Sequence, residues 1–194
     1  MKKKRNKKTK NRVYVALLHG PVYNKNKQIV TTSITGFDLH DIARSARTYG
    51  ISGYYVVNPL PAQRKFAKRI IDCWGGNKSF EFNPTRAEAF AALKLVSDLE
   101  DVAKDIKKRT GKAPIAVATS ANAKNGIKFE DLSRKIKKEK TPYLIVFGTG
   151  WGLTKEAIQG CNLILEPIVG RSAYRHLSVR SAAAIVLDRL FGKR

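Results

Sequence analysis

Few side chains in this 194-residue sequence are grouped in the way that side-chain catalysis requires. His19, His40 and His176 are scattered, and none has a metal-ligating partner three or four residues on. Cys73 and Cys161 stand alone, which excludes a disulfide scaffold and a cysteine zinc site. No serine or cysteine nucleophile motif is present, and no metal is expected. What remains is backbone. Phe147-Gly148-Thr149-Gly150-Trp151-Gly152 follows an apolar run and precedes a short helix, so its amides are placed to meet a ligand. Its glycines fit neither the phosphate-loop nor the dinucleotide spacing. It reads either as a tight strand-to-helix connection or as a cofactor loop. A second irregular, backbone-rich stretch, Glu166-Pro167-Ile168-Val169-Gly170-Arg171-Ser172, lies ahead of the last helix. Arg44 and Arg47 add positive charge to one helix face, and Asp38 and Ser178 read as helix N-caps.

The elements that must hold these turns alternate along the chain. Buried-type strands are expected at Val13–Leu18, Gly53–Val57, Ile115–Ala118, 143–147 and 163–165, with a weaker one at 29–34 after a polar loop at 23–28. Helices are expected at 38–49, 61–74, Phe129–Lys138, 154–159 and 178–191. A further long helix is expected from Thr85 to about Arg109, on capping-box spacing of Thr85 and Glu88 and a stripe of Leu95, Leu99, Val102 and Ile106. Strands separated by helices define an α/β protein with a mostly parallel sheet flanked by helices. Ligands of such sheets bind beyond the carboxyl ends of the strands, where both turns fall.

Charge narrows the partners. The chain carries 38 Lys and Arg against 15 Asp and Glu, a formal net charge of +23. Eight of those basic residues fall in 1–12, which reads as a disordered tail; the rest, a single domain over 13–194, keeps +15. Such an excess draws RNA, DNA or an anionic membrane surface by counterion release. No apolar run reaches the roughly 20 residues of a spanning helix, so an integral membrane protein is not expected. A reducing, cytoplasmic setting is the default for two unpaired cysteines.

Three blocks resemble the SPOUT, or α/β-knot, class of S-adenosylmethionine-dependent RNA methyltransferases. They are DLHDIARSARTYGISGYYVV at 38–57, LIVFGTGWGLTKEA at 144–157, and EPIVGRSAYRHLSVRSAAAIVLDRL at 166–190, in family order. The likeness extends over nearly all of 13–192. It is strongest to a group of such domains that occur alone or fused behind a tRNA guanine-N1 methyltransferase.

The resemblance implies a C-terminal deep trefoil knot, a bent S-adenosylmethionine held within it (S-adenosylhomocysteine as product), and a homodimer acting on tRNA or rRNA. It places Phe147, Gly148, Thr149 and Gly150 on one cofactor turn. Leu165, Glu166, Pro167, Ile168, His176, Leu177 and Ser178 fall on another, with Thr119 and Ser120 ending the preceding strand. It makes Arg44 a clamp on a phosphate or on the methylated oxygen, since a guanidinium is no proton acceptor. Ser178 is the second candidate catalytic residue. Asp38 and Ser178 stand where ribose-methylating relatives carry Asn, which leaves a base nitrogen open as the target. The other reading is a non-catalytic RNA-binding protein that keeps the knotted fold; a nucleotide-binding enzyme of ordinary doubly wound type is third.

Overall fold

A computed structural model describes residues 12–75 and 77–193. The basic segment 1–11 therefore lies outside the described residues. Arg12 already belongs to the domain: its carbonyl accepts from Tyr143 N at 2.9 Å.

Six parallel strands form one sheet in the order β5-β4-β1-β7-β6-β8. They are β1 (Val13–Leu18), β4 (Gly53–Val57), β5 (Leu93–Val96), β6 (Ile115–Ala118), β7 (Tyr143–Gly148) and β8 (Leu163–Ile164). A small antiparallel hairpin, β2 (Val22–Tyr23) with β3 (Ile29–Val30), occupies the weak strand and the loop before it. The helices are α1 (Gly36–Thr48), α2 (Pro61–Gly75), α3 (Asn77–Phe82), α4 (Pro84–Phe90), α5 (Leu99–Thr110), α6 (Phe129–Lys138), α7 (Lys155–Gln159) and α8 (Val179–Phe191).

The central strands read as apolar runs because both of their faces are covered. Val13, Val15 and Leu17 of β1 enter a core with α1, α4, α6 and α8. Tyr14, Ala16 and Leu18 face the opposite core, under α5 and α7. The result is three layers, helix on sheet on helix.

The long helix expected over 85–109 is two helices with a strand between them. α4 starts at Asn83, whose side chain accepts from Arg86 N, and Glu88 pairs with Arg47 instead of closing a capping box. Leu93–Val96 then pairs with Tyr54–Val57 at the sheet edge, and Asp98 caps α5 by accepting from Asp101 N at 2.8 Å. Pairing with an open strand edge outweighs continuing a helix through Lys94, whose ammonium reaches Asp105 from the strand.

The apolar stripe of α8 faces inward. Ala183, Val186 and Leu190 are buried in the monomer core against α1 and α6. Ser178 does cap α8, accepting from Ser181 N. Asp38 is the third residue of a capping box whose N-cap is Thr35, not itself the cap.

Candidate functional site

The carboxyl edge of the sheet gathers the loops after β1, β6, β7 and β8. The chain runs from β1 outward to β4 on one side, while β7 lies on the other, so the crevice opens between β1 and β7. Thr149 closes its floor: its amide donates to Leu18 O at 3.1 Å and its hydroxyl to the same oxygen at 3.0 Å.

The glycine turn is held from below and behind. Trp151 N donates to Tyr23 O at 2.8 Å, Tyr23 N to Gly152 O at 3.0 Å, and Gly152 N to Thr149 O at 3.0 Å. Amides expected to face a ligand are thus engaged at Thr149 by β1, at Gly152 within the turn and at Trp151 by the β2 hairpin, a partner that sequence spacing could not show. Gly150 has φ +59°, and a Cβ there would lie 2.8 Å from Tyr23 O. At Gly148 a Cβ would meet Leu153 N at 2.7 Å. Both glycines are demanded by packing of the turn.

A chain of side chains runs under this turn. Thr149 Oγ1 and Thr32 Oγ1 are 2.6 Å apart, and Thr32 Oγ1 lies 3.0 Å from His19 Nδ1. His19 is fully buried, its Nε2 has no partner, and burial lowers its pKa against an opposing pull from Asp38. The imidazole is therefore neutral near pH 7 and is a brace for the turn.

The chain after β8 runs parallel beside the end of the loop after β6. Leu165 N donates to Ala118 O at 2.9 Å, Ile127 N to Ile164 O at 2.8 Å, and Glu166 N to Ile127 O at 3.0 Å. Gly126 leaves no room for a Cβ beside the Glu166 backbone. Glu166 Oε1 accepts from Phe129 N at 2.7 Å and so caps α6, whose own cap residue, Lys128, supplies no side-chain bond. Thr119 donates its hydroxyl to Val146 O, while Ser120 Oγ accepts from Asn122 N.

The two backbone-rich loops meet. Trp151 and His176 are ring neighbours with centroids 6.0 Å apart, and Tyr174 lies 5.6 Å from the same His176 ring. Phe147 and Leu165 are buried beneath, Pro167 and Ile168 are half-buried, and His176, Leu177 and Ser178 are exposed. The structure thus brings together Thr119, Ser120, Phe147–Gly150 and 165–178 at one edge. Trp151 and Tyr174 were missed as functional residues; an exposed aromatic inside a glycine turn was the available signal.

Arg44 lies elsewhere. It is exposed on α1, eight residues or roughly 12 Å along the helix from its start. With Asp41, Ser45, Thr48, Tyr49 and Ala184 it lines a groove of about 380 Å³ between α1 and α8. Arg180 closes the upper part of that contact, bonding Asp41 at 3.0 Å and approaching Asp38 at 3.9 Å. Within one chain the structure does not bring Arg44 to the glycine turn. A second groove, of about 550 Å³, borders Gly126, Ile158 and Cys161. Burial pushes the Cys161 thiol up to about 11, which makes it a poor nucleophile. Among the described residues no cluster of three His, Cys, Asp or Glu is placed to hold a metal, and no helix is long and apolar enough to cross a membrane.

A parallel sheet covered by helices on both faces, with its loops converging at one carboxyl edge, is an α/β protein of SpoU-like fold. The SpoU methyltransferase AviRb from Streptomyces viridochromogenes, solved in complex with the cofactor AdoMet, superposes with TM-score 0.55 at 16% identity. That alignment covers 94% of this chain and 57% of AviRb. Residues 12–192 match the model of the SAM-dependent RNA methyltransferase family, and the chain belongs to that family. An uncharacterized protein of Aquifex aeolicus is 44% identical over 93% of this chain and 89% of its own length. A tRNA (guanine-N(1)-)-methyltransferase of Nitratidesulfovibrio vulgaris is 44% identical over 93% of this chain. The chain spans only 42% of that relative's length.

Proposed function

We propose that this chain binds S-adenosylmethionine at the carboxyl edge of the sheet and transfers its methyl group to an RNA, tRNA or rRNA, leaving S-adenosylhomocysteine. The observation that carries this is the junction of the glycine turn with the 165–178 loop, marked by the Trp151–His176 contact at 6.0 Å. The residues there suit the cofactor. Ile168 and Leu177 offer apolar surface for adenine, the exposed loop offers backbone edges, and Gly148 and Gly150 allow the tight turn that frames the cleft. Thr119, Ser120, Phe147, Thr149, Leu165, Pro167 and His176 complete the cradle. The Glu166 carboxylate is engaged at α6, so its share falls to its backbone.

S-adenosylmethionine, when bound, supplies an electrophilic methyl group. The protein's task is then alignment of an RNA nitrogen or oxygen with it, and positioning matters more than acid–base groups. Arg44 serves as a clamp on a phosphate or on the accepting atom. Its distance from the cradle within one chain supports a homodimer in which each Arg44 serves the partner's cleft. The parallel pairing of Ile127 with Leu165, which lays the loop after β6 against the chain leading to α8, supports a trefoil knot with α8 as the threaded segment. Free Cys73 and Cys161 suit a cytoplasmic protein.

A second reading, an RNA-binding protein without catalysis, is favoured by Asp38 and Ser178, both engaged in helix capping at positions where ribose-methylating relatives carry Asn. One experiment separates the two. Protein, methyl-labelled S-adenosylmethionine and total tRNA or rRNA are incubated, and the digested nucleosides are read by mass spectrometry. A labelled nucleoside is the expected result. Intact binding of cofactor and RNA without transfer on any RNA would select the second reading. Arg44→Ala should bind both ligands and transfer at least about tenfold more slowly, roughly 1.4 kcal/mol of transition-state interaction.

A further inference from the structure

Trp151 is held in place and yet left bare. Its amide is tied to Tyr23 O, and glycines at φ +59° and +100° fix the turn on either side of it. The side chain is nevertheless 65% exposed. Tyr174, across His176, is 73% exposed. The rings meet at interplanar angles of 63° and 67°, and the high exposure of Trp151 and Tyr174 leaves ring surface on both for a further flat group. By these two spacings the outer rings lie within about 12 Å of each other (6.0 plus 5.6).

The surroundings are cationic. From Pro167 to Arg180 the chain carries Arg171, Arg175 and Arg180 and no Asp or Glu. Residues 169–178 are exposed throughout. Arg180 is paired with Asp41, but in a two-fold contact centred on this loop Arg171 and Arg175 would face their own copies, with no acid on the same stretch to meet them. A polyanion with flat apolar faces of its own matches both the charge and the rings.

We infer that Trp151 and Tyr174, with His176 between them, form a stacking platform for unpaired RNA bases beside the methyl-transfer cleft, while Arg171 and Arg175 hold the adjoining phosphates. Paired bases present their edges and hide their faces, so the platform selects a loop, bulge or frayed end over duplex. It thereby sets which nucleotides reach the site, independent of the group that accepts the methyl. This rests on the reading that the chain acts on RNA.

The test uses the full chain and its two tryptophans. Trp74→Phe leaves Trp151 as the sole indole emitter. A short unstructured single-stranded RNA should quench that emission, and a blunt duplex of equal length should quench it far less. Trp151→Ala and Tyr174→Ala should each weaken single-strand binding about tenfold or more, because one stacked base is lost. The log–log salt dependence should keep its slope, since no phosphate contact is removed. Trp151→Phe should restore most of the affinity. Affinity for S-adenosylmethionine, by calorimetric titration, should fall far less than RNA affinity in each of them.

Unchanged RNA affinity in both alanine variants overturns the platform while leaving the methyltransferase reading intact. Loss of cofactor affinity with RNA binding preserved assigns the rings to the cofactor and overturns it too. A fall in mass by light scattering, paralleling the lost RNA affinity, assigns them to a subunit contact. A wild-type protein that binds no RNA overturns the platform and the RNA reading together.

Discussion

Glu166 carries the most informative hydrogen bond at the mouth of the site. Its carboxylate accepts from Phe129 N at 2.7 Å, a capping bond that local sequence does not provide because Lys128 occupies the cap position. Glu166→Ala should lower stability by about 1 kcal/mol, the worth of a side-chain cap plus a favourable charge at a helix start. Urea unfolding measures it, and cofactor affinity should change much less; the reverse pattern would return the carboxylate to the cofactor. His19 makes a second case. Burial lowers its pKa, so near and below its unfolded pKa of about 6.5 the unfolded chain binds more protons than the folded one. Stability must then fall as pH drops through that window, by at most about 1.4 kcal/mol per pH unit for one fully linked group. His40, lowered chiefly by burial and also by Arg86 and Arg44, adds to the same trend. In His19→Asn the decline between pH 7.5 and 5.5 should be shallower; an identical slope would mean that His19 does not stay neutral in the fold.

Elements were legible where burial is local and illegible where partners come from afar. β1, β4 and β7 announce themselves as apolar runs because both sheet faces are covered, and the start of α8 at Ser178 follows from a cap three residues from its donor. The 85–109 segment failed because Leu95, Leu99, Val102 and Ile106 keep helical spacing although Leu95 stands in a strand. Asp98 with Asp101, a cap in mid-stripe, was the local sign of a new helix. Likewise the two loops of the site could be located from sequence, but not the Tyr23 contacts that engage the glycine turn, nor the inward turn of α8. Those depend on a hairpin and on helices far along the chain. The α5 element offers its own test. Asp105 accepts from Tyr55 Oη at 2.5 Å and Lys94 Nζ at 2.8 Å and pairs with Arg109 at 2.8 Å, which together pin α5 to β4 and β5. Desolvation of the carboxyl, which alone would raise its pKa, is outweighed by its bonds to Lys94 and Tyr55, so the net shift is downward. A lowered carboxyl pKa contributes stability that is present above about pH 4 and lost as pH falls through the folded value. Asp105→Asn should cost about 1–2 kcal/mol at pH 7. The gap to wild type, followed by denaturant titration, should narrow as pH falls through the folded value of the carboxyl; a gap independent of pH would assign the loss to packing.

At the scale of the whole molecule the excess of positive charge is shared between the folded domain and the segment before it. Residues 1–11 carry seven of the 38 Lys and Arg, and the folded faces carry most of the others, including Lys135, Lys137 and Lys138 on α6 and Arg171 and Arg175 near the site. Electrostatic and stacking contributions to RNA binding therefore separate by position. Each phosphate contact releases condensed counterions and adds about −0.7 to the log–log salt slope on single strands, whereas a stacked ring adds affinity without slope. Deleting residues 1–11 should weaken RNA binding and flatten the slope by up to about 5 if all seven charges meet phosphates. The affinity for S-adenosylmethionine should hold, because every residue of the proposed cradle lies between 119 and 178. Fluorescence anisotropy at four or five salt concentrations gives both quantities in one series. A slope equal to that of the full chain would place the phosphate contacts on the folded domain alone, and Arg171 and Arg175 would then be the next charges to remove.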